Sequence, residues 1–249
     1  MRRSVLSFLA LLFLGGCAGS APADDPRVLV FTKTDGWRHD AIPAAVEAVR
    51  QLGAAGGFAV DHTEDPAAFA DDRLAAYAAV AFLLTSEDVL GPEQEAAFER
   101  YVRAGGGYAG VHSAADTEYE WPFYGELVGA TFDGHPEGTP DAVVRVVDRE
   151  HPSTAHLPAT WPRTDEWYNY RAAPAGVRVL ATLDEETYEG GTMGDNHPIA
   201  WCHERLGGRA WYTGGGHTAE SYADDAFRAH LLGGIRYVAG LDDGDCSAR

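Results

Sequence analysis

The sequence predicts an α/β fold in which a mostly parallel sheet carries helices on both faces and further strands are added from the C-terminal part of the chain. Two observations predict it. Short apolar runs alternate with stretches of helical periodicity in the first half of the chain, and after residue 141 the pattern changes to short strands followed by one last helix. Alternating strands and helices imply right-handed crossovers, and such sheets bind ligands beyond the carboxyl ends of their strands.

The first predicted elements are a strand, a helix and two further strands. Residues 27–32 form a compact apolar run. Apolar side chains then recur at helical spacing over residues 41–52, and we expect Gly53 to end that helix. Residues 58–62 predict a second strand, and the uninterrupted apolar run 77–84 is typical of a buried parallel strand.

The next helix has clear signals at both ends. Pro92 suits a first helical turn, Glu93 favours the amino end, and Arg103 precedes Gly105. Residues 106–111 then predict a short glycine-rich strand that leads directly into a polar turn. We expect that turn to be functional.

The remaining chain completes a single domain. No Pro/Ser-rich linker and no internal repeat divides the sequence. Beyond residue 141 the sequence predicts four short strands and a final helix, at residues 143–147, 178–183, 198–202, 209–213 and 222–238.

The amino-terminal segment has the pattern of an export signal. Arg2 and Arg3 precede an apolar run over residues 5–14 that is too short to span a bilayer, and a Leu-Gly-Gly-Cys sequence ends at Cys17. This layout resembles a bacterial lipoprotein signal and predicts a membrane-anchored protein of the cell envelope, with contact to the membrane through the lipid alone. The alternative is ordinary secretion with Cys17 discarded or left free. The predicted organisation is a signal peptide at 1–16, lipidated Cys17 with a tether at 17–26, a domain at 27–240 and a flexible tail at 241–249.

Charge and cysteine content limit the classes of partner. Lys and Arg number 19 against 38 Asp and Glu, so the net charge is −19 and the chain lacks the basic surface that nucleic acids require. Uncharged small molecules such as carbohydrates remain compatible with this charge. Cys202 and Cys246 can form a disulfide in an exported protein, or remain as a buried thiol and a thiol in a frayed tail; the sequence leaves this open.

Five polar clusters fall at predicted strand ends or adjoining loops. Because the carboxyl ends of parallel strands meet at one edge of a sheet, we expect these clusters to converge on a site. They lie at residues 34–39, 85–88, 112–116, 165–170 and 214–217.

The turn after the glycine-rich strand has the setting of a nucleophile elbow, but its central residue is His112, where a hydrolase has Ser or Cys. Ser113 stands one position late, and neither Cys202 nor Cys246 lies on such a turn. A glutaminase or a cysteine peptidase is therefore not expected. Histidine there can act as a general acid or base, or bind a metal, or simply hold the loop in place.

The sequence establishes no cofactor, and a divalent metal such as zinc is a candidate. No His-Glu-x-x-His or Cys-x-x-Cys motif is present, so a site has to be assembled from distant loops. The candidate ligands are His39, His112, His135, His197, His217 and Glu166.

Aromatic and hydroxyl side chains near the predicted strand ends are candidates for substrate binding. Trp37 and Trp167 suit stacking on the apolar face of a sugar, although aromatic side chains pack in cores equally often. Ser86 follows the third strand and is the third candidate. A phosphate-binding loop and a dinucleotide fingerprint are both absent from the sequence.

Taken together, these motifs resemble the ThuA-like (trehalose-utilisation) family over residues 27–238. The resemblance rests on Val28-Leu-Val-Phe-Thr with Trp37-Arg-His39, Gly105-Gly-Gly-Tyr-Ala-Gly-Val-His112, Asp165-Glu-Trp-Tyr168, His197-Pro-Ile-Ala-Trp201 and Arg209-Ala-Trp-Tyr-Thr-Gly-Gly-Gly-His217. It implies a flavodoxin-like sheet related to class I glutamine amidotransferases, with the glutaminase cysteine replaced by His112. It also implies an association with oxidation of trehalose and related disaccharides to 3-keto sugars. The recurring polar positions of the family match His39, His112, Glu166, Tyr168 and His217.

We therefore expect an enzyme that acts on 3-keto-sugars or keto-glycosides as an isomerase, lyase or hydrolase, in one pathway with a sugar-oxidising oxidoreductase. His112 is expected as the acid or base, Glu166 as its partner or a metal ligand, and His39 and His217 as groups that polarise a carbonyl; Tyr168 completes the predicted catalytic set. The alternative is a non-catalytic, surface-anchored carbohydrate-binding protein with the same fold. The lipoprotein signal departs from the cytoplasmic pattern of the family.

Overall fold

The computed structural model describes residues 25–248, which form a nine-stranded sheet and a separate two-stranded sheet. The predicted export signal and Cys17 lie outside the described residues. The strands are β1 (Arg27–Phe31), β2 (Ala59–Thr63), β3 (Ala79–Leu83), β4 (Gly107–Val111), β5 (Phe132–Gly134), β6 (Asp141–Val146), β7 (Thr160–Thr164), β8 (Asn169–Tyr170), β9 (Arg178–Asp184), β10 (His197–His203) and β11 (Ala210–Thr213).

The large sheet has a parallel half and an antiparallel half. Its strand order is β2-β1-β3-β4-β11-β10-β9-β6-β7. The first five strands of that order pair in parallel, whereas each of β10, β9, β6 and β7 pairs antiparallel with the strand before it in the order. Strand β11 therefore joins the two halves, and its carboxyl end lies beside that of β4. The small sheet pairs β5 with β8.

Helices cover both faces of the sheet. One face carries α1 and α5, which pack against each other, and the other carries α2, α3 and α4. The all-apolar strand β3, with the sequence AVAFL, is buried on both sides as the helical layers require. The helices are α1 (Ile42–Gly56), α2 (Asp71–Leu74), α3 (Pro92–Arg103), α4 (Pro122–Val128) and α5 (Asp225–Val238).

Most predicted elements are confirmed within a few residues, but α1 continues past its predicted end. Gly53 has helical backbone geometry, and the helix is capped instead by Gly57, whose φ of 78° places it in the left-handed region. Glycine adopts that conformation without steric cost, so the later glycine ends the helix. The sequence analysis missed α2, α4, β5, β7 and β8, which are short.

A disulfide joins Cys202 of β10 to Cys246, across a sequence separation of 44 residues. Arg178 reinforces this attachment: its Nη1 lies 2.6 Å from Asp245 Oδ2, and its Nε contacts Asp148. Cys246 is only 5% exposed. Residues 241–248, which belong to the segment that we expected to be a flexible tail, are therefore tied to the sheet at Cys246.

Within residues 25–248, no helix combines the length and the apolar character needed to cross a membrane.

Candidate functional site

Three histidines and one glutamate meet at the carboxyl end of the parallel strands. His39 lies between β1 and α1, His112 directly follows β4, and His217 follows β11. Glu166 reaches the same point from the loop between β7 and β8. One nitrogen or oxygen atom from each of these four residues lies within 4.8 Å of the others. The strand-end rule thus places His39, His112 and His217 together as the sequence analysis predicted.

His112 occupies a strained position at the elbow after β4. Its φ is 52°, in the left-handed region that costs a non-glycine residue about 1–2 kcal/mol. Its carbonyl oxygen accepts a hydrogen bond from the Tyr212 hydroxyl at 2.8 Å, and its side chain is completely buried. Strain of this kind persists where the surrounding structure holds a residue in a functional orientation.

The two ring nitrogens of His112 have different partners, and these partners determine which nitrogen carries the hydrogen. Nδ1 lies 2.8 Å from the carbonyl oxygen of Gly214, which can only accept, so Nδ1 carries the hydrogen. In the neutral ring Nε2 then presents a lone pair. That lone pair faces Glu166 Oε2 at 3.3 Å, another acceptor. Two acceptors in contact require a cation between them, either a proton or a metal ion.

His217 completes a compact triangle with these two atoms. Its Nδ1 lies 3.2 Å from His112 Nε2 and 3.2 Å from Glu166 Oε2. Zinc bonds of about 2.0–2.1 Å in tetrahedral geometry place neighbouring ligand atoms about 3.3–3.4 Å apart. The three separations match that spacing to about 0.2 Å. The donor set of imidazole nitrogens and one carboxylate is also one that zinc prefers.

His39 supplies a fourth nitrogen to the cluster. Its ring centroid lies 5.0 Å from those of His112 and His217, and its Nδ1 is buried with no hydrogen-bond partner among the described residues. Burial, with the nearby His112, lowers the pKa of His39 to about 3, so its ring is neutral. An unpartnered, neutral imidazole nitrogen is what a metal ligand needs, and its orphaned state supports the fit of a cation.

Contacts on both flanks hold the loop that carries His39. Arg38 forms two hydrogen bonds to Glu64, at 2.7 and 3.2 Å. Ser86 Oγ donates to the carbonyl oxygen of Trp37 at 2.8 Å. His39 is therefore fixed at its place while the Trp37 ring, 71% exposed, faces solvent beside it.

The cluster is electrostatically polarised. Burial alone would raise the pKa of Glu166, but hydrogen bonds with His112 and His217 lower it well below its usual range. Burial conversely lowers the pKa of His217, yet the hydrogen bond to Glu166 raises it above the ordinary value. The site therefore contains an ionised carboxylate that favours positive charge on the His217 ring.

Tyr168 forms the wall next to this cluster. Its ring centroid lies 4.3 Å from that of His112. Burial, followed by the charge of Glu166, raises the pKa of its hydroxyl well above the usual value. The Tyr168 side chain thus keeps its proton and can act as a hydrogen-bond donor but not as a base.

The family model for ThuA, trehalose utilisation, matches residues 27–238. The chain belongs to the ThuA family. No curated protein matches the sequence. Among solved structures, a ThuA-like protein from Bacteroides uniformis is similar to it with a TM-score of 0.75 and 24% identity over 90% of this chain and 95% of that one. A ThuA-like protein from Parabacteroides merdae gives a TM-score of 0.72 and 21% identity over 91% and 98% of the two chains.

The broader relationship of this ThuA-family fold is to glutamine amidotransferases. A glutamine amidotransferase from Thermotoga maritima matches with a TM-score of 0.53 and 10% identity over 86% of this chain and 98% of that one. At this identity the likeness concerns the fold alone, and it confirms the predicted amidotransferase-like α/β architecture.

Two of the predicted metal ligands lie outside the cluster of three histidines and Glu166. His197 is buried with its Nδ1 2.8 Å from Glu185 and its Nε2 2.8 Å from the Tyr168 carbonyl oxygen, so both nitrogens are engaged elsewhere. His135 contacts the cluster from outside, with Nδ1 3.3 Å from Glu166 Oε1, the oxygen that faces away from the histidine pair. His135 is thus placed to orient the carboxylate.

Two of the three predicted substrate-binding residues have structural roles. Trp167 is 1% exposed, packs in the core and donates its indole N–H to the Pro140 carbonyl oxygen at 2.9 Å. Ser86 is fully buried and its hydroxyl holds Trp37. Trp37 alone of the three is free to contact a ligand.

The sequence analysis did not single out Asp165 or Asp116 as site residues. Asp165 directly precedes Glu166 and is completely buried among hydrogen-bond donors. Asp116 ends the single turn of 3₁₀-helix that begins at His112. Their membership in the polar clusters 165–170 and 112–116 was the available signal. Sequence could not show that Asp165 is buried or that Asp116 is partly exposed and accepts a hydrogen bond from the Tyr119 hydroxyl.

Proposed function

We propose that this ThuA-family protein is an enzyme acting on the carbonyl group of a 3-keto-sugar or keto-glycoside through metal-assisted acid–base chemistry. The observation that carries the proposal is the cluster of three imidazoles and one carboxylate behind an elbow that has no nucleophile. Chemistry without a covalent enzyme intermediate suits such a site. The sugar class comes from the trehalose-utilisation family.

His112, His217, Glu166 and His39 would hold the ion. A divalent cation supplies Lewis acidity that polarises a carbonyl oxygen and stabilises the charge that develops on it. The hydrogen bond from His112 Nδ1 to Gly214 fixes the ring so that Nε2 faces the cluster. His217, whose side chain is 25% exposed, marks the side from which a substrate can approach.

The acid–base role predicted for His112 is better suited to Asp116. His112 has no accessible surface, so it does not touch a substrate in this conformation. Asp116 is partly exposed, and burial raises the pKa of its carboxyl, with the charge of Glu87 adding to the effect. A carboxyl with a raised pKa is suited to remove and return the proton on a carbon next to a keto group.

Substrate orientation is assigned to Trp37 and Tyr168. The exposed ring of Trp37, on a backbone held by Ser86, is a fixed surface on which the apolar face of a sugar can stack. The protonated hydroxyl of Tyr168 offers a hydrogen-bond donor at the buried side of the site.

The test is product analysis by NMR after incubation of the domain with 3-keto-glucosides and with their unoxidised parents, before and after chelation. We expect conversion of the keto forms alone and its loss on chelation. Asp116→Asn should abolish conversion and retain zinc, whereas Glu166→Gln should lose zinc. Saccharide binding without any conversion would replace the proposal by a carbohydrate-binding function for which the exposed Trp37 is the supporting observation.

A further inference from the structure

Asp165 is a buried carboxylate that no step of the proposed reaction uses. It has no accessible surface. Five donors surround it, an unusually complete set for one side chain, and they come from three separate parts of the chain. They are the backbone N–H groups of Glu166 at 3.1 Å, His217 at 2.9 Å and Gly216 at 2.8 Å, the Ser221 hydroxyl at 3.0 Å and Arg163 Nη2 at 3.2 Å.

These contacts connect two loops that are distant in sequence. Glu166 is the next residue in the chain, so the position of Asp165 determines where Glu166 begins. Oδ1 also accepts from the backbone of His217, on the loop after β11. The Oε2 and Nδ1 atoms of these two neighbours are the ones that lie 3.2 Å apart in the cluster. The Asp165 carboxylate therefore connects the backbones of two members of the cluster, Glu166 and His217.

The surroundings are built to receive this carboxylate. Gly216 has a φ of 109°, a conformation that L side chains rarely adopt, and it directs its N–H to Asp165 Oδ2. The Arg163 side chain is itself only 8% exposed. Its guanidinium carbon lies 4.9 Å from the ring centroid of Trp161 and 4.8 Å from that of Phe227. Its charge balances that of the buried carboxylate, because an ionised group without partners would be very costly there.

We propose that Asp165 is the positioning residue that sets the separation of Glu166 and His217 and thereby prepares the cluster to bind a cation. The inference rests on the proposed function for the identity of the ion. It differs from a general stabilising role, because it requires the loss of Asp165 to affect cation binding more than it affects folding.

Asp224 provides a matched control. Its carboxylate pairs with the same Arg163, at 3.1 Å to Nη1, and caps α5 by accepting from the Phe227 N–H at 2.7 Å. Removing its charge perturbs Arg163 and the helix next to the site without removing the acceptor for the His217 N–H.

The experiment measures zinc affinity, by competition with a chromophoric chelator, and thermal unfolding of the metal-free protein for wild type, Asp165→Asn and Asp224→Asn. The amide keeps the volume of the carboxylate but replaces one acceptor oxygen by a donor. We expect Asp165→Asn to weaken zinc binding 10- to 100-fold, the usual effect of losing a group that orients ligands, and Asp224→Asn to change it less than threefold. If Asp165→Asn does not fold, Asp165→Glu, which moves the carboxylate by one methylene, is measured in its place.

Equal zinc affinity in Asp165→Asn and wild type would overturn the inference, as would equal weakening in the two variants. If wild type binds no zinc, the metal part of the proposed function fails and the positioning role is tested separately by a crystal structure of Asp165→Asn. An unchanged distance between Glu166 Oε2 and His217 Nδ1 in that structure would refute the role, and a lengthened one would support it.

Discussion

Glu118 makes the stability of this protein depend on pH in a way that one substitution removes. The side chain is 3% exposed, and its Oε1 accepts hydrogen bonds from the backbone N–H groups of Val89 and Leu90 at 3.0 and 2.7 Å. Burial outweighs these bonds and raises the pKa of the Glu118 carboxyl from 4.5 to about 7; the neighbouring Asp88 contributes in the same direction.

The sign follows from comparing the folded and unfolded chains. Below pH 4.5 the carboxyl is protonated in both states. As the pH rises towards 7, the unfolded chain releases the proton while the folded chain retains it, so the free energy of unfolding falls. A difference of about 2.5 pH units corresponds to about 3 kcal/mol, and the loss is complete above the folded-state pKa.

Glu118→Gln preserves the shape of the protonated acid and its carbonyl acceptor but cannot ionise. Urea unfolding at pH 5, 6, 7 and 8 measures the free energy of unfolding of both proteins. We expect wild type to lose about 2.5 kcal/mol more than Glu118→Gln between pH 5 and pH 8, because the remainder of the loss falls below pH 5. Asp116, whose pKa burial also raises, is present in both proteins, so its contribution cancels in the comparison. Asp88 and Glu95 lie in one carboxylate cluster with Glu118, so the difference between the two proteins includes their coupling to the Glu118 charge. Parallel profiles for the two proteins would refute the reasoning.

Three further predictions concern a disulfide and two tryptophans. Cys246→Ser should lower the free energy of unfolding by about 4 kcal/mol, since a cross-link over 44 residues restricts the unfolded chain by that amount; a loss below 1 kcal/mol in urea unfolding would contradict it. Trp37→Ala should weaken saccharide binding about tenfold in calorimetry with little change in Tm, because the ring is 71% exposed and its loss removes a stacking surface rather than core. Trp167→Ala should instead cost about 3–5 kcal/mol of stability, as expected for a large side chain that is 1% exposed, and unchanged thermal unfolding would show that its burial has been misjudged.

The part of the site that sequence could predict is the part fixed by strand ends. His39, His112 and His217 each follow a parallel strand, and parallel strands bring their carboxyl ends to one edge whatever the loop lengths between them. Glu166 lies between β7 and β8, which the sequence analysis missed. Its convergence on the site was therefore expected from its polar cluster and from the family resemblance, but no predicted strand end placed it there. The position of Asp165 could not be predicted either, because its partners Gly216 and His217 come from a loop 51 and 52 residues later in the sequence.

Burial of individual aromatic residues was beyond prediction for a physical reason. Trp37 and Trp167 both stand in polar clusters, and an indole is favourable both on a sugar and in a core. Only the packing of the antiparallel half of the sheet, which covers Trp167, distinguishes them. The end of α1 was mispredicted for a similar reason. Gly53 and Gly57 can both adopt the left-handed conformation that ends a helix, and the sequence does not show that Gly57 is the one that adopts it.

At the left-handed elbow of His112, the backbone fixes the direction in which the side chain points, whatever chemical group that side chain carries. The Tyr212 hydroxyl, which donates to the His112 carbonyl oxygen, and the neighbouring strands hold the bend, so the side chain at position 112 leaves the backbone towards His217 and Glu166. A His112→Cys substitution would accordingly keep the direction of the side chain, but its shorter thiol would leave the space that Nε2 now fills beside His217 and Glu166. At this bend the backbone sets the direction of residue 112, and the length and type of the side chain decide which groups of the cluster it meets.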